Sequence, residues 1–103
     1  MTQAEKVEYI IDRSCTYFGI TRDEIKPRMK PKSELVTARR FVIKTLSDHT
    51  VLSFQRIADL LHFKTHSNIT FHLAAINNDL SNETYGSDKI KRLYKEYLDY
   101  LNL

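Results

Sequence analysis

The sequence predicts an all-α fold, a compact bundle of about six helices containing a helix-turn-helix. Three observations predict it. Apolar residues recur at helical spacing along most of the chain. Side chains that cap helices stand just ahead of these periodic stretches. The 103 residues also contain only two glycines and two prolines, too few for the turns of a β-sandwich. This length suits a single helical domain over residues 1–103, and 42% hydrophobic content is enough for one modest core.

The first helix is expected over residues 3–18, where Val7, Ile10, Ile11 and Phe18 share a stripe and Glu5, Glu8, Asp12 and Arg13 lie elsewhere. Gly19 is placed to end it, because glycine enters the left-handed C′ conformation without steric cost. Thr21 then caps a short helix, "RDEI", with Glu24 completing a capping box. Pro27 and Pro31 impose an extended connector, since proline disfavours helix for itself and its predecessor.

Ser33 reads as the N-cap of a third helix reaching about Asp48, with Leu35, Val36, Ala38, Val42, Ile43 and Leu46 at helical spacing. Ser53 opens a fourth, "FQRIADLL", with Phe54, Ile57 and Leu61 expected inward. Thr65 caps a fifth, along which Ile69, Leu73, Ile76 and Leu80 form the core stripe. Ser87 opens a last helix, about 87–102, with Ile90, Leu93, Tyr94, Tyr97 and Leu101 on one side. No repeat and no low-complexity segment interrupts the order.

The net charge is only +3, but it is unevenly spread. The segment "KPRMKPKSELVTARRFVIK", residues 26–44, sets seven basic residues (Lys26, Arg28, Lys30, Lys32, Arg39, Arg40 and Lys44) against Glu34 alone. Such a block reads as a site for a polyanion rather than only a solvated face. Cys15 has no partner for an internal disulfide and is expected as a small core residue. No apolar run approaches the roughly 20 residues of a membrane span. The first ten residues carry acidic side chains where a secretory signal would be basic, then apolar. A cytoplasmic protein is the expectation.

The fourth and fifth helices are separated by only "HFKT", which makes them a helix-turn-helix if they cross steeply. In that motif the second helix lies in the major groove and its first residues meet base edges. Here these are Thr65, His66, Ser67 and Asn68, short side chains that donate and accept hydrogen bonds. Asn68 suits adenine, and a threonine or alanine methyl suits the thymine methyl. Thr65 and Ser67 also serve as helix caps, which is compatible with contact at a helix N-terminus.

From Val7 to about Leu80 the sequence resembles the C-terminal DNA-binding domain of the bacterial replication initiator DnaA, whose helix-turn-helix is shared with the Trp repressor. The resemblance is carried by "YFGITRDEI" ahead of the basic connector, then "LVTARRFVIKTL", then "LSFQRIADLLHFKTHSNITFHLAAI". It implies that His66 and Ser67 match base-contacting positions and that Arg39 matches an arginine gripping the DNA backbone. Arg40 stands where the family has glutamine. Arg28, Lys30 and Lys32 become candidates for the backbone or minor groove, with Pro31 about where the family's minor-groove arginine is expected. Lys64, just before the reading helix, joins the backbone candidates, and Phe71 stands where a DNA-contacting histidine is common.

The departures fall on the reading positions. Thr65 replaces an aspartate, Asn68 a threonine, and His62 and Phe63 replace the turn glycines. A left-handed residue in the turn must therefore be non-glycine, which histidine tolerates better than most. A kept scaffold with altered sequence preference is expected. ATPase activity is not expected of these residues, since they contain no G-x-x-x-x-G-K-[ST] run.

Three of the four histidines fall within "HFKTHSNITFH". His62 and His66 are four apart but flank the turn, and no H-E-x-x-H pattern links them, so neither metal nor cofactor is expected. No nucleophile–base pair stands out, so the chain is not expected to be an enzyme. His72 is expected half-buried with a hydrogen-bond partner, and His49 at a helix C-terminus.

The leading reading is a sequence-specific binder of double-stranded DNA, acting as a replication accessory factor or transcription regulator, of a size that suits a phage or other mobile element. The alternative is a helical adaptor that keeps the fold and binds protein. The last helix reads either as a cover for the core or as a docking face for a homodimer or protein partner through Tyr94, Tyr97, Tyr100 and Leu101. RNA ranks third, since no stacking platform on a sheet is in view.

Overall fold

The computed structural model describes residues 2–26, 33–81 and 87–103. Six helices follow one another: α1 (Gln3–Phe18), α2 (Arg22–Ile25), α3 (Ser33–His49), α4 (Phe54–Leu60), α5 (His66–Ser81) and α6 (Ser87–Leu101). No strand occurs among the described residues. The all-α expectation holds, with boundaries shifted by a residue or so; α3, for example, runs past Asp48 to His49. Pro27, Arg28, Lys30, Pro31 and Lys32 lie outside the described residues.

Local chemistry sets the first turns. Thr2 and Glu5 form a capping box at α1, in which the Thr2 hydroxyl accepts from the Glu5 amide at 3.1 Å. Thr21 and Glu24 repeat the device at α2, as expected. At the end of α1, Gly19 sits at φ 66°, and the amides of Gly19 and Ile20 turn back to the carbonyls of Thr16 and Cys15 at 3.3 and 3.0 Å. This crossed pair is a Schellman closure, and it satisfies carbonyls the helix would otherwise leave open.

α3 runs through the middle of the core. Its Val42, Ile43 and Leu46 pack with Val7, Ile10 and Ile11 of α1, Ile57 of α4 and Ile69 of α5. Phe41, also fully buried, joins a second cluster with Ile76 of α5 and Tyr94, Tyr97 and Leu101 of α6. The Phe41 ring lies 5.0 Å from Tyr94 and 5.3 Å from Tyr97, and Phe18 stands 5.9 Å from it. Such pairs contribute about 0.5–1.5 kcal/mol each beyond the area they bury.

Two sequence expectations are corrected here. Phe54, expected inward, is 40% exposed, because it opens α4 immediately after the Ser53 cap, at the outer end of the helix. The other concerns the docking face on α6, where the structure agrees with the core-covering reading. Tyr94, Tyr97 and Leu101 are buried by α1, α3 and α5, so they hold the domain together rather than present a docking face. Tyr97 is wholly buried, and its hydroxyl lies 2.8 Å from Ser14 Oγ, which donates to the Ile10 carbonyl. Burial pushes the Tyr97 phenol up to about 12. Tyr100 is half-buried under the Arg13 guanidinium, 4.4 Å from its ring centre.

Cys15 is buried, and burial raises its thiol above the ordinary value, which suits packing and not nucleophilic attack. Among the described residues no helix is long and apolar enough to cross a membrane.

Candidate nucleic-acid interface

The end of α4 decides where α5 begins. Ser53 Oγ accepts from the Arg56 amide at 3.2 Å, which caps the start of α4. At the other end the His62 amide bonds the Asp59 carbonyl at 3.3 Å and the Phe63 amide bonds the Ala58 carbonyl at 2.8 Å. This is the closure seen at Gly19, but here the left-handed residue is His62, at φ 63°. The conformation expected of a non-glycine residue in the turn is therefore present. Phe63 follows it into the core, with Leu61 buried alongside, and these two anchors fix the turn.

Beyond the turn Lys64, Thr65, His66 and Ser67 are exposed and Asn68 is half-exposed, while Ile69 is fully buried. The structure thus brings together the residues expected at the reading position. Thr65 stands before the first helical residue, and its carbonyl accepts from the Asn68 amide at 3.2 Å. His62, exposed in the turn, and His66, on the first turn of α5, form no metal cluster; no group of three His, Cys, Asp or Glu suited to a metal occurs among the described residues.

The outward face continues past the first turn. Ser67, Thr70, Phe71, Ala74, Asn77 and Asn78 are all exposed, and Phe71 is 64% exposed. Of these, Thr70, Ala74, Asn77 and Asn78 were missed in the sequence reading. The signal was available, because they stand three, seven, ten and eleven residues after Ser67 and so share its face. The α5 helix contains no Lys or Arg, and its one carboxylate, Asp79, lies in the last turn.

The basic segment is corrected more heavily. Arg39, expected on the DNA backbone, is 3% exposed and turned inward. Its Nε donates to the Ile25 carbonyl, and its Nη2 donates to the carbonyls of Glu24 and Lys26 at 3.2 and 2.6 Å. The physical reason is the shortness of α2, whose terminal carbonyls have no next turn to accept from and take a guanidinium instead. Lys26 and Lys44 pair with Asp23 and Asp48, each at 3.0 Å. Arg28, Lys30 and Lys32 lie outside the described residues.

Arg40 remains. It is half-exposed beside the middle of α5, and its Nε donates to His72 Nδ1 at 3.3 Å. His72 is held below the ordinary histidine value by burial first, then by Arg40 and Arg39. It is therefore neutral near pH 7, with Nδ1 free to accept. The His72 ring also packs against Phe63, 5.4 Å between centroids, and so ties the turn, α5 and α3 together. The half-buried, hydrogen-bonded state expected of His72 is what the structure contains.

Two concave regions lie away from this face. One, of about 360 Å³, is lined by Ile11, Arg22, Asp23, Ile25, Leu60 and His62. The other, of about 600 Å³, runs between the start of α1 and α4, past Val7, Glu8, Leu52, Arg56 and Leu60. Arg22 and Glu8, 2.8 Å apart, bridge α2 to α1 at the surface.

No family model and no solved structure matches the chain. The chain is 28% identical over 92 residues to the chromosomal replication initiator protein DnaA of Campylobacter jejuni subsp. doylei. The alignment covers 89% of this chain and 21% of that relative, so the chain spans about a fifth of the relative's length.

Proposed function

We propose that this chain is a single DNA-binding domain, in which α4 and α5 act as a helix-turn-helix and α5 lies in the major groove of double-stranded DNA. The observation that carries the reading is the outward face of α5. Thr65 precedes it, His66, Ser67 and Asn68 open it, most of its exposed side chains are small and polar, and no carboxylate stands before Asp79 to repel phosphate. Similarity to a replication initiator across 89% of the chain supports the same reading. The function is sequence-preferring binding without catalysis, in a replication accessory or regulatory role.

Burial of Tyr94, Tyr97 and Leu101 takes most of the docking face from the adaptor alternative. A salt titration of binding to random-sequence duplex tests the proposal. Affinity should fall linearly on a log–log plot, by about 0.9 in slope per phosphate neutralised. Absence of binding even at low salt would overturn it.

A further inference from the structure

Phe71 is an anomaly on α5. The core stripe of that helix, Ile69, Leu73 and Ile76, is buried, whereas Phe71 points outward at 64% exposure. It is also the only exposed large hydrophobic side chain on α5 among the described residues. The fold gains little from an aromatic ring in water. The Phe71 ring does meet the His72 ring edge to face, 5.5 Å between centroids at 75°, and His72 in turn accepts from Arg40. An exposed aromatic ring thus stands on the face that would enter the groove.

Its surroundings narrow what it would touch. Ser67, Ala74 and Asn78 are its exposed neighbours at helical spacing, and exposed Thr70 precedes it in the chain, three and four residues from Ser67 and Ala74. Thr70 and Ala74 add methyl groups, and Thr70 spends its hydroxyl on the His66 carbonyl at 3.3 Å. Guanine is read most often by Arg or Lys at O6 and N7, and α5 has neither. Thymine alone presents a methyl group in the major groove, and phenylalanine, alanine and the threonine methyl are its apolar partners. One ring among small side chains is too little area for a stable protein interface.

We infer that Phe71, with Ala74 and the Thr70 methyl beside it, contacts the C5-methyl groups of thymine and makes the middle of α5 selective for A·T pairs. This rests on the duplex-binding proposal above. Removing one contacted methyl group from DNA should weaken binding about four-fold, the effect of exposing one buried carbon.

The test selects preferred duplexes from a random pool with the full chain, then replaces each thymine of the best site by deoxyuridine, one at a time. The parent chain should lose about four-fold in affinity at one or two positions. Phe71→Ala should bind the deoxyuridine and thymine duplexes equally, and Phe71→Leu should keep part of the difference. A thermal melt matching the parent's, expected for so exposed a residue, shows that Phe71→Ala is folded. Equal binding of the parent to every deoxyuridine duplex overturns the inference while leaving duplex binding standing. So does full methyl sensitivity retained by Phe71→Ala. If the parent selects and binds no duplex, both proposals fall, and Phe71 becomes a contact for another macromolecule.

Discussion

Arg40 Nε donates to His72 Nδ1 across the seam between α3 and α5, and the bond requires a neutral imidazole. His72 sits below its ordinary pKa of 6.5 because of burial and the two neighbouring arginines, Arg40 and Arg39. The unfolded chain therefore takes up this proton at higher pH than the folded one. Stability from this residue is complete above about pH 6.5 and is lost as pH falls through the lower folded value. Thermal melts between about pH 8 and 5 should show the midpoint falling on the acid side, and His72→Gln should make that fall shallower. An unchanged acid limb in the variant would mean that His72 takes its proton without cost.

Adjacent arginines should behave differently. Arg39→Ala strips the donor from three main-chain carbonyls at the end of α2 and should cost about 2–4 kcal/mol in denaturant unfolding. Arg39→Lys should not restore it, because an ammonium lacks the planar fork that spans the three carbonyls. Arg40→Ala removes only the bond to His72, so it should cost less, about 1 kcal/mol, and lower the salt slope of duplex binding by about one unit. The reverse pattern would place Arg39 on the DNA and Arg40 in the scaffold.

Two matched turns give a pair of opposite substitutions. Gly19→Ala forces a side chain into φ 66°, although nothing stands within 4 Å of the added carbon, so the cost is backbone strain alone. It should be about 1 kcal/mol. His62→Gly relieves the same strain at φ 63° and should gain somewhat less than 1 kcal/mol, since glycine also loses more entropy on folding. Chemical unfolding of the two variants measures both; a loss in His62→Gly would mean that the imidazole makes a stabilising contact.

What the sequence revealed was local. Gly19, Thr21 and Ser53 act on backbone groups within a few residues, so their roles were legible from order alone. The apolar stripe of α5 was legible for the same reason. Arg39 was not, because two consecutive helical residues point about 100° apart and only the placement of α2 decides which one is captured. The tyrosine-rich face of α6 was visible too, but periodicity marks a face that must be covered without saying by what. Here α1, α3 and α5 cover it. Thr70, Ala74, Asn77 and Asn78 share the face of Ser67, but helical spacing alone does not separate a contacting side chain from a merely solvated one.

The central claim is that the first turn of α5 reads base edges. Asn68 is the sharpest probe, being half-exposed there beside a buried Ile69. Its amide can pair with adenine in the major groove, a contact of about 1–3 kcal/mol in discrimination. The decisive measurement compares parent and Asn68→Ala on a duplex selected by the parent and on a scrambled duplex of the same composition. The account predicts that Asn68→Ala narrows the gap between the two duplexes by about ten-fold or more, with binding to the scrambled one nearly unchanged. Equal weakening on both duplexes, or a parent chain that selects no site at all, would contradict it.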